Sequence, residues 1–216
     1  MNRHNFRIIL HCCLLLIVFT AAVKSEAAGI EFDRSTYSLK RGAVTFQNLC
    51  MLCHEMKYLR YQNLLALGFS QKQLETFRKG KNIQETMQSS IAPEVAKLLF
   101  GIQPPDLSLM AKARKNGPSY IYNLLTGYHE TAGGVIRNQI LPDTSMPDVL
   151  AYSIETDVQA REQLEKTARE VAMFMEWVAD PKADQRRRMG YWVIAYLVFL
   201  TFLLYLIKRR VWRRLR

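Results

Sequence analysis

Residues 50–54 read Cys-Met-Leu-Cys-His, the spacing C-x-x-C-H. Two thiols three positions apart, followed at once by an imidazole, form the attachment pattern of a c-type haem. The thiols add across the vinyl groups of the macrocycle, and the adjacent histidine is carried beneath the iron as its proximal ligand. Such a motif also constrains the fold. A covalent, largely apolar macrocycle gives short helices a common surface to bury against.

Two other chemistries compete for the same residues. A redox dithiol calls for a thioredoxin-like strand ahead of the first cysteine, and no β-branched run precedes Cys50. A zinc site needs four nitrogen or sulfur ligands. Of the four cysteines and four histidines, Cys12, Cys13, His4 and His11 lie in an apolar amino-terminal stretch. If that stretch is removed, only Cys50, Cys53, His54 and His129 remain, and zinc would have to take them all. Haem c, one per chain and attached through Cys50 and Cys53, is the cofactor this inventory predicts.

The amino-terminal stretch reads as an export signal. Arg3 and Arg7 give it a positive start, residues 8–23 are largely apolar, and Ser25, Ala27 and Ala28 are small. Cleavage is expected after about residue 27, the alternative being an uncleaved anchor. Export agrees with the cofactor, because haem is attached to thiols outside the bacterial cytoplasm. A second apolar run, GYWVIAYLVFLTFLLYLI, covers 190–207 without a charge. As a helix it is roughly 27 Å long, enough to cross the hydrocarbon core of a bilayer. Tyr191, Trp192 and Tyr205 lie near its ends, where amphipathic rings favour the interface. The basic tail 208–216 is then cytoplasmic by the positive-inside rule. Residues 182–189 form a basic linker, and the whole reads as a single-pass protein of a bacterial inner membrane with its haem domain in the periplasm.

A net charge of +11 invites a nucleic-acid reading, so its location matters. Residues 28–181 carry seventeen basic and seventeen acidic side chains. All the excess sits in the targeting and membrane-flanking segments. No basic patch remains to hold a nucleic acid.

Residues 28–181 make one domain, and its punctuation is helical. Ser70 with Gln73 forms a capping box, and Gly80 ends that helix. Pro93 opens a helix running to Gly101, and Pro118 opens another that stops at Gly127. Residues 157–179 form the longest soluble helix, with Leu164, Ala168, Val171, Met175 and Val178 on one face. Pro181 interrupts it. Strand-like alternation is nearly absent, so the fold class is mostly α: short helices around a haem, with one carboxy-terminal transmembrane helix.

A low-spin electron carrier needs a second axial ligand, and methionine raises the potential relative to histidine. Among nine methionines, Met51 and Met56 are too close to His54 to reach the opposite face. Met173 and Met175 read as helix packing and Met189 borders the membrane. Met87, Met110 and His129 stay open. Met146 is favoured, because it lies in the polar loop PDTSMPDV and Pro147 restricts its backbone to extended conformations.

Three segments together resemble the cytochrome c1 family, the haem subunit of ubiquinol–cytochrome c reductase. CMLCHEMKYLRY resembles the family's haem-binding stretch, PPDLSLMAKAR with GPSYIYNLLTGY its most distinctive segment, and VAMFMEWVADPKADQRRRMG its carboxy-terminal signature. The resemblance implies iron ligation by His54 and Met146, and places Arg114 and Tyr120 near a haem propionate. From the residues alone, Arg114 reads as a solvated helix charge. The resemblance also implies partners: cytochrome b and the Rieske iron–sulfur protein in one membrane complex, and a cytochrome c acceptor. In this chain the loop between Gly127 and Met146 is shorter than the family's and lacks an Asn-Pro-Tyr-Phe-like segment. Two other readings stand beside it, a free-standing membrane-anchored cytochrome and an open-site haem sensor or enzyme.

Overall fold

Helix α1 (Thr36–Leu49) starts where the Ser35 hydroxyl accepts a hydrogen bond from the Ser38 backbone N–H, filling an otherwise unsatisfied donor position. It buries Leu39, Gly42, Ala43 and Phe46 along one stripe, as the helical period requires. The computed structural model describes residues 30–214, and the expected export signal lies outside the described residues. From Phe32 onward the chain forms one unit.

After α1 come a 3-10 turn (Cys50–Leu52), strand β1 (Met56–Arg60) and a second 3-10 segment (Tyr61–Leu67). Helix α2 (Gln71–Arg78) carries the expected reciprocal capping box between Ser70 and Gln73. Strand β2 (Thr86–Met87) pairs antiparallel with β1 and sets Met56 against Met87, both fully buried. Helix α3 (Pro93–Phe100) opens on proline and closes on Gly101 at φ 75°, where a side chain would be strained. The short α4 (Met110–Ala113) and α5 (Gly117–Thr126) follow. A hairpin of β3 (Tyr128–Glu130) and β4 (Ile136–Asn138) leads to the loop that holds Met146.

The longest soluble helix is α6 (Val158–Ala179), capped by the Asp157 carboxylate accepting from the Ala160 N–H. Its expected face holds up: Ala168, Val171, Met175 and Val178 are buried, with Leu164 packed at the edge of the core. Helices α1, α4 and α5 all pack on it. At the α1 crossing, a Cβ on Gly42 would stand 2.1 Å from the Glu170 carbonyl oxygen. Only a glycine allows that approach. Phe46 and Phe174 fill the same crossing with ring centroids 5.8 Å apart. The Arg41 guanidinium reaches across it to the buried Glu170 carboxylate at 2.9 Å.

The fold is mostly helical, as expected, with four short strands besides among the described residues. They are two to five residues long, and β1 buries only Met56 and Leu59. No alternation can show in segments so short or so irregular.

Helix α7 (Ala183–Arg214) is continuous and carries no buried residue. It takes in the expected basic linker from Ala183 onward, leaving Lys182 outside, and most of the basic tail, so these flanks are helical extensions of the apolar run. At about 48 Å it exceeds the bilayer's hydrocarbon thickness, and its apolar middle satisfies a membrane span by length and composition. At the break before it, Asp180 accepts from Lys112 Nζ at 2.7 Å and pairs with Arg186.

Candidate haem site

The C-x-x-C-H stretch is one tight turn at the end of α1. The Cys50 carbonyl accepts from the Cys53 N–H at 3.1 Å and from the His54 N–H at 2.8 Å. This folding turns both thiols and the imidazole toward a single cavity of about 250 Å³. The cavity is lined almost wholly by apolar side chains, with the thiols and the imidazole among them, so it can seat an apolar cofactor within reach of all three.

His54 is held in one tautomer. Its Nδ1 lies 2.8 Å from the Pro105 carbonyl oxygen, which can only accept, so Nδ1 carries the proton and Nε2 keeps a lone pair. Burial lowers the ring's pKa and outweighs the opposing hydrogen bond, which favours the neutral, ligating form. Pro105 is itself fixed. The 104–108 stretch is zipped to the chain after the motif by Leu107 N–H to Glu55 O (3.0 Å), Lys57 N–H to Asp106 Oδ2 (2.9 Å) and Tyr58 N–H to Ser108 Oγ (3.1 Å). In the sequence, PPDLS is legible only as part of a family likeness. Its work is to aim a carbonyl at the histidine, and two adjacent prolines followed by Asp and Ser were the available signal.

Cys50 and Cys53 form no disulfide with each other. Burial first, and the neighbouring Cys53 second, push the Cys50 thiol up to about 12. Among the described residues, no three His, Cys, Asp or Glu side chains converge to hold a metal ion as zinc would require.

The wall opposite the motif is apolar, built from Ile121, Leu124 and Leu125 of α5, Val171 and Met175 of α6, and Leu141 and Val149 of the long loop. Three methionines line it: Met110, Met146 and Met175. Met87 is buried against Met56 instead. His129 sits on β3 with Nδ1 3.4 Å from the Gly127 carbonyl oxygen, and is not part of the wall. Among the described residues, Arg114 is the one permanently charged side chain in the lining, its guanidinium carbon 5.5 Å from the centre of the Tyr120 ring. The cavity thus gathers Cys50, Cys53, His54, Met146, Arg114 and Tyr120. Two thiols, an imidazole with an unprotonated nitrogen, a thioether, one cation and an apolar wall suit a haem, so the residues fit that group.

A mostly helical domain with this cavity, followed by one exposed apolar helix, defines a membrane-anchored cytochrome of the c type. The model of the cytochrome C1 family matches residues 25–97 and 78–215. Cytochrome c1 of Rhodospirillum rubrum is 30% identical over 259 aligned positions, taking in 92% of this chain and 94% of that one. Cytochrome c1 of Blastochloris viridis is 30% identical over 234 positions, 85% of this chain and 82% of the other. A Nitrosomonas europaea protein named ammonia monooxygenase gamma subunit is 26% identical over 227 positions, 93% and 96% of the two chains. The chain belongs to the cytochrome c1 family. It is a single-pass, haem-bearing electron-transfer subunit of the cytochrome bc1 complex, and its haem is covalently bound.

Proposed function

We propose that this chain carries one haem on Cys50 and Cys53, ligated by His54 Nε2 and the Met146 thioether. It receives an electron from the Rieske protein beside cytochrome b and delivers it to a cytochrome c acceptor. The observation that carries this reading is the His54–Pro105 bond at 2.8 Å in a cavity that also holds both thiols and Met146. When bound, the haem supplies a one-electron iron couple. The protein's residues do the rest. Pro105 holds the proton on Nδ1 and directs Nε2 inward, which also strengthens the ligand. A Met146 thioether as second ligand would raise the potential relative to a second histidine. The apolar wall would keep water from a bound haem, and Arg114 could offer a charge-assisted hydrogen bond to one of its propionates.

The domain assignment follows the same reading: residues 1–27 a cleaved signal, 28–181 a periplasmic haem domain, 182–189 a basic linker, 190–207 the span and 208–216 a cytoplasmic tail. The likeness to the Nitrosomonas europaea protein favours a second reading, a cytochrome of the same architecture serving a different membrane oxidoreductase. Affinity purification from detergent-solubilised membranes distinguishes the two. Recovery of cytochrome b and the Rieske protein, with a reduced spectrum unchanged by carbon monoxide, is expected. A haem-bearing chain recovered without them would favour the second reading, and a carbon monoxide-sensitive spectrum would favour an open iron site.

A further inference from the structure

Both backbone polar groups of Met146 are held by side-chain hydroxyls. The Tyr128 hydroxyl donates to the Met146 carbonyl at 2.8 Å, and Thr144 Oγ1 accepts from the Met146 N–H at 3.1 Å. Between Ile140 and Pro147 the backbone makes one bond to itself, Thr144 N–H to Leu141 O. The remaining support comes from Asn138, whose Oδ1 accepts from the Ile140 and Leu141 N–H groups at 2.9 and 3.1 Å. Its Nδ2 donates to the Leu124 carbonyl of α5 at 2.7 Å. Asn138 and Tyr128 face each other across the β3–β4 hairpin and are 1% and 4% exposed. The base of the hairpin is therefore a buried post, its outer residues being exposed or half-buried, and the loop is tied to that base at both ends.

We propose that Tyr128 and Thr144 are positioning residues that clamp the Met146 backbone so that its thioether stays aimed into the cavity. The proposal rests on Met146 being the sixth ligand. Its physical basis is preorganisation. A methionine side chain has three rotatable bonds, and a ligand on a loop with almost no backbone bonding of its own would lose much freedom on binding iron. Fixing the backbone beforehand removes part of that cost. A short loop makes this possible, because only seven residues separate Asn138 from Met146.

The test uses the full-length, haem-loaded protein. The first comparison is wild type with Met146→Leu, read by the ferric thioether-to-iron band near the red end of the spectrum and by the carbon monoxide association rate of the reduced protein. Loss of the band in Met146→Leu establishes the ligand independently, and its retention sinks the ligand assignment and the clamp with it. Tyr128→Phe keeps the ring and deletes one hydrogen bond. With normal haem content, it is expected to weaken the band and raise the carbon monoxide association rate about fivefold, the population equivalent of one typical hydrogen bond. Thr144→Val should shift both readouts the same way, and Thr144→Ser should restore them. If Met146→Leu loses the band while Tyr128→Phe and Thr144→Val behave as wild type, the clamp alone is overturned. Should Tyr128→Phe fail to accumulate, Thr144→Val against Thr144→Ser decides by the same two readouts.

Discussion

The Nδ1 atom of His54 lies 2.8 Å from the carbonyl oxygen of Pro105, fifty-one residues along the chain. Asp106 secures that carbonyl from the next position, with one oxygen accepting from the Lys57 N–H and the other from the Ser108 N–H, each at 2.9 Å. Asp106→Ala removes both bonds and loosens the carbonyl's grip on the ring. A weaker bond at Nδ1 makes Nε2 a poorer donor to ferric iron. The midpoint potential is expected to rise by roughly 40 mV, the one-electron equivalent of a hydrogen bond worth ~1 kcal/mol. Potentiometric titration checks it, and an unchanged or lower potential would contradict it.

Cys50→Ala or Cys53→Ala should each strongly impair haem retention through denaturing electrophoresis, since each thiol supplies one thioether. The two differ in setting, Cys50 buried and Cys53 only partly so. A Cys50→Ala, Cys53→Ala double variant that stains for haem like wild type would refute the attachment sites.

Three methionines face the cavity, so the sixth ligand is a choice among Met146, Met110 and Met175. Met146→Leu is expected to lower the potential by an appreciable part of the roughly 0.8 V that axial ligands span. Met110→Leu and Met175→Leu change only packing and should leave the thioether band intact. Met87→Leu and His129→Ala should also leave it, being outside the wall. Loss of the band in Met110→Leu or Met175→Leu, with retention in Met146→Leu, would move the assignment.

The turn that gathers Cys50, Cys53 and His54 at one cavity is legible in the sequence because its pattern is local: three side chains within five residues, in a spacing with few uses. Helix ends were legible for the same reason, as Ser70, Pro93, Pro118 and Gly127 act on their own neighbours. The support for those residues was not. Pro105 acts through a carbonyl, which every residue possesses, and Tyr128 acts through an 18-residue separation. Helix α1 also went unread, because its buried stripe runs through Gly42, whose role depends on Glu170 being across from it. Met175 fitted the packing face of α6 and was read as packing alone, yet it also reaches the cavity. Periodicity reports which face is buried and not what that face is buried against.

The α1–α6 crossing yields a stability prediction. Gly42→Ala puts a methyl 2.1 Å from the Glu170 carbonyl oxygen and 2.9 Å from the Phe174 Cβ. Neither atom is the flexible end of a side chain, so the helices must separate. A loss of about 1–3 kcal/mol is expected, read from the denaturant midpoint at unchanged slope. Gly133→Ala is the control, since nothing lies within 4 Å of a Cβ there. Equal midpoints for the two variants would show that the crossing is looser than its geometry.

The joint between the haem domain and the membrane helix should be sensitive to acid. Asp180 is held below the ordinary carboxylate range first by Arg186 and then by Lys112. Lys112 belongs to α4, which also carries Met110 into the cavity wall, and Arg186 lies in the first turns of α7. One carboxylate thereby ties the α4 segment to the base of the apolar helix. Because the folded-state pKa is depressed, the contribution is fully present above the unfolded value of about 4. It is lost as pH falls from there toward the lower folded value, and it does not vary between pH 6 and 8. Asp180→Asn removes the charge at every pH. The thermal midpoint of wild type should exceed that of Asp180→Asn by a constant margin above pH 5, and the two curves should converge on acidification. Curves that stay parallel down to pH 3 would mean that Asp180 acts by shape and not by charge.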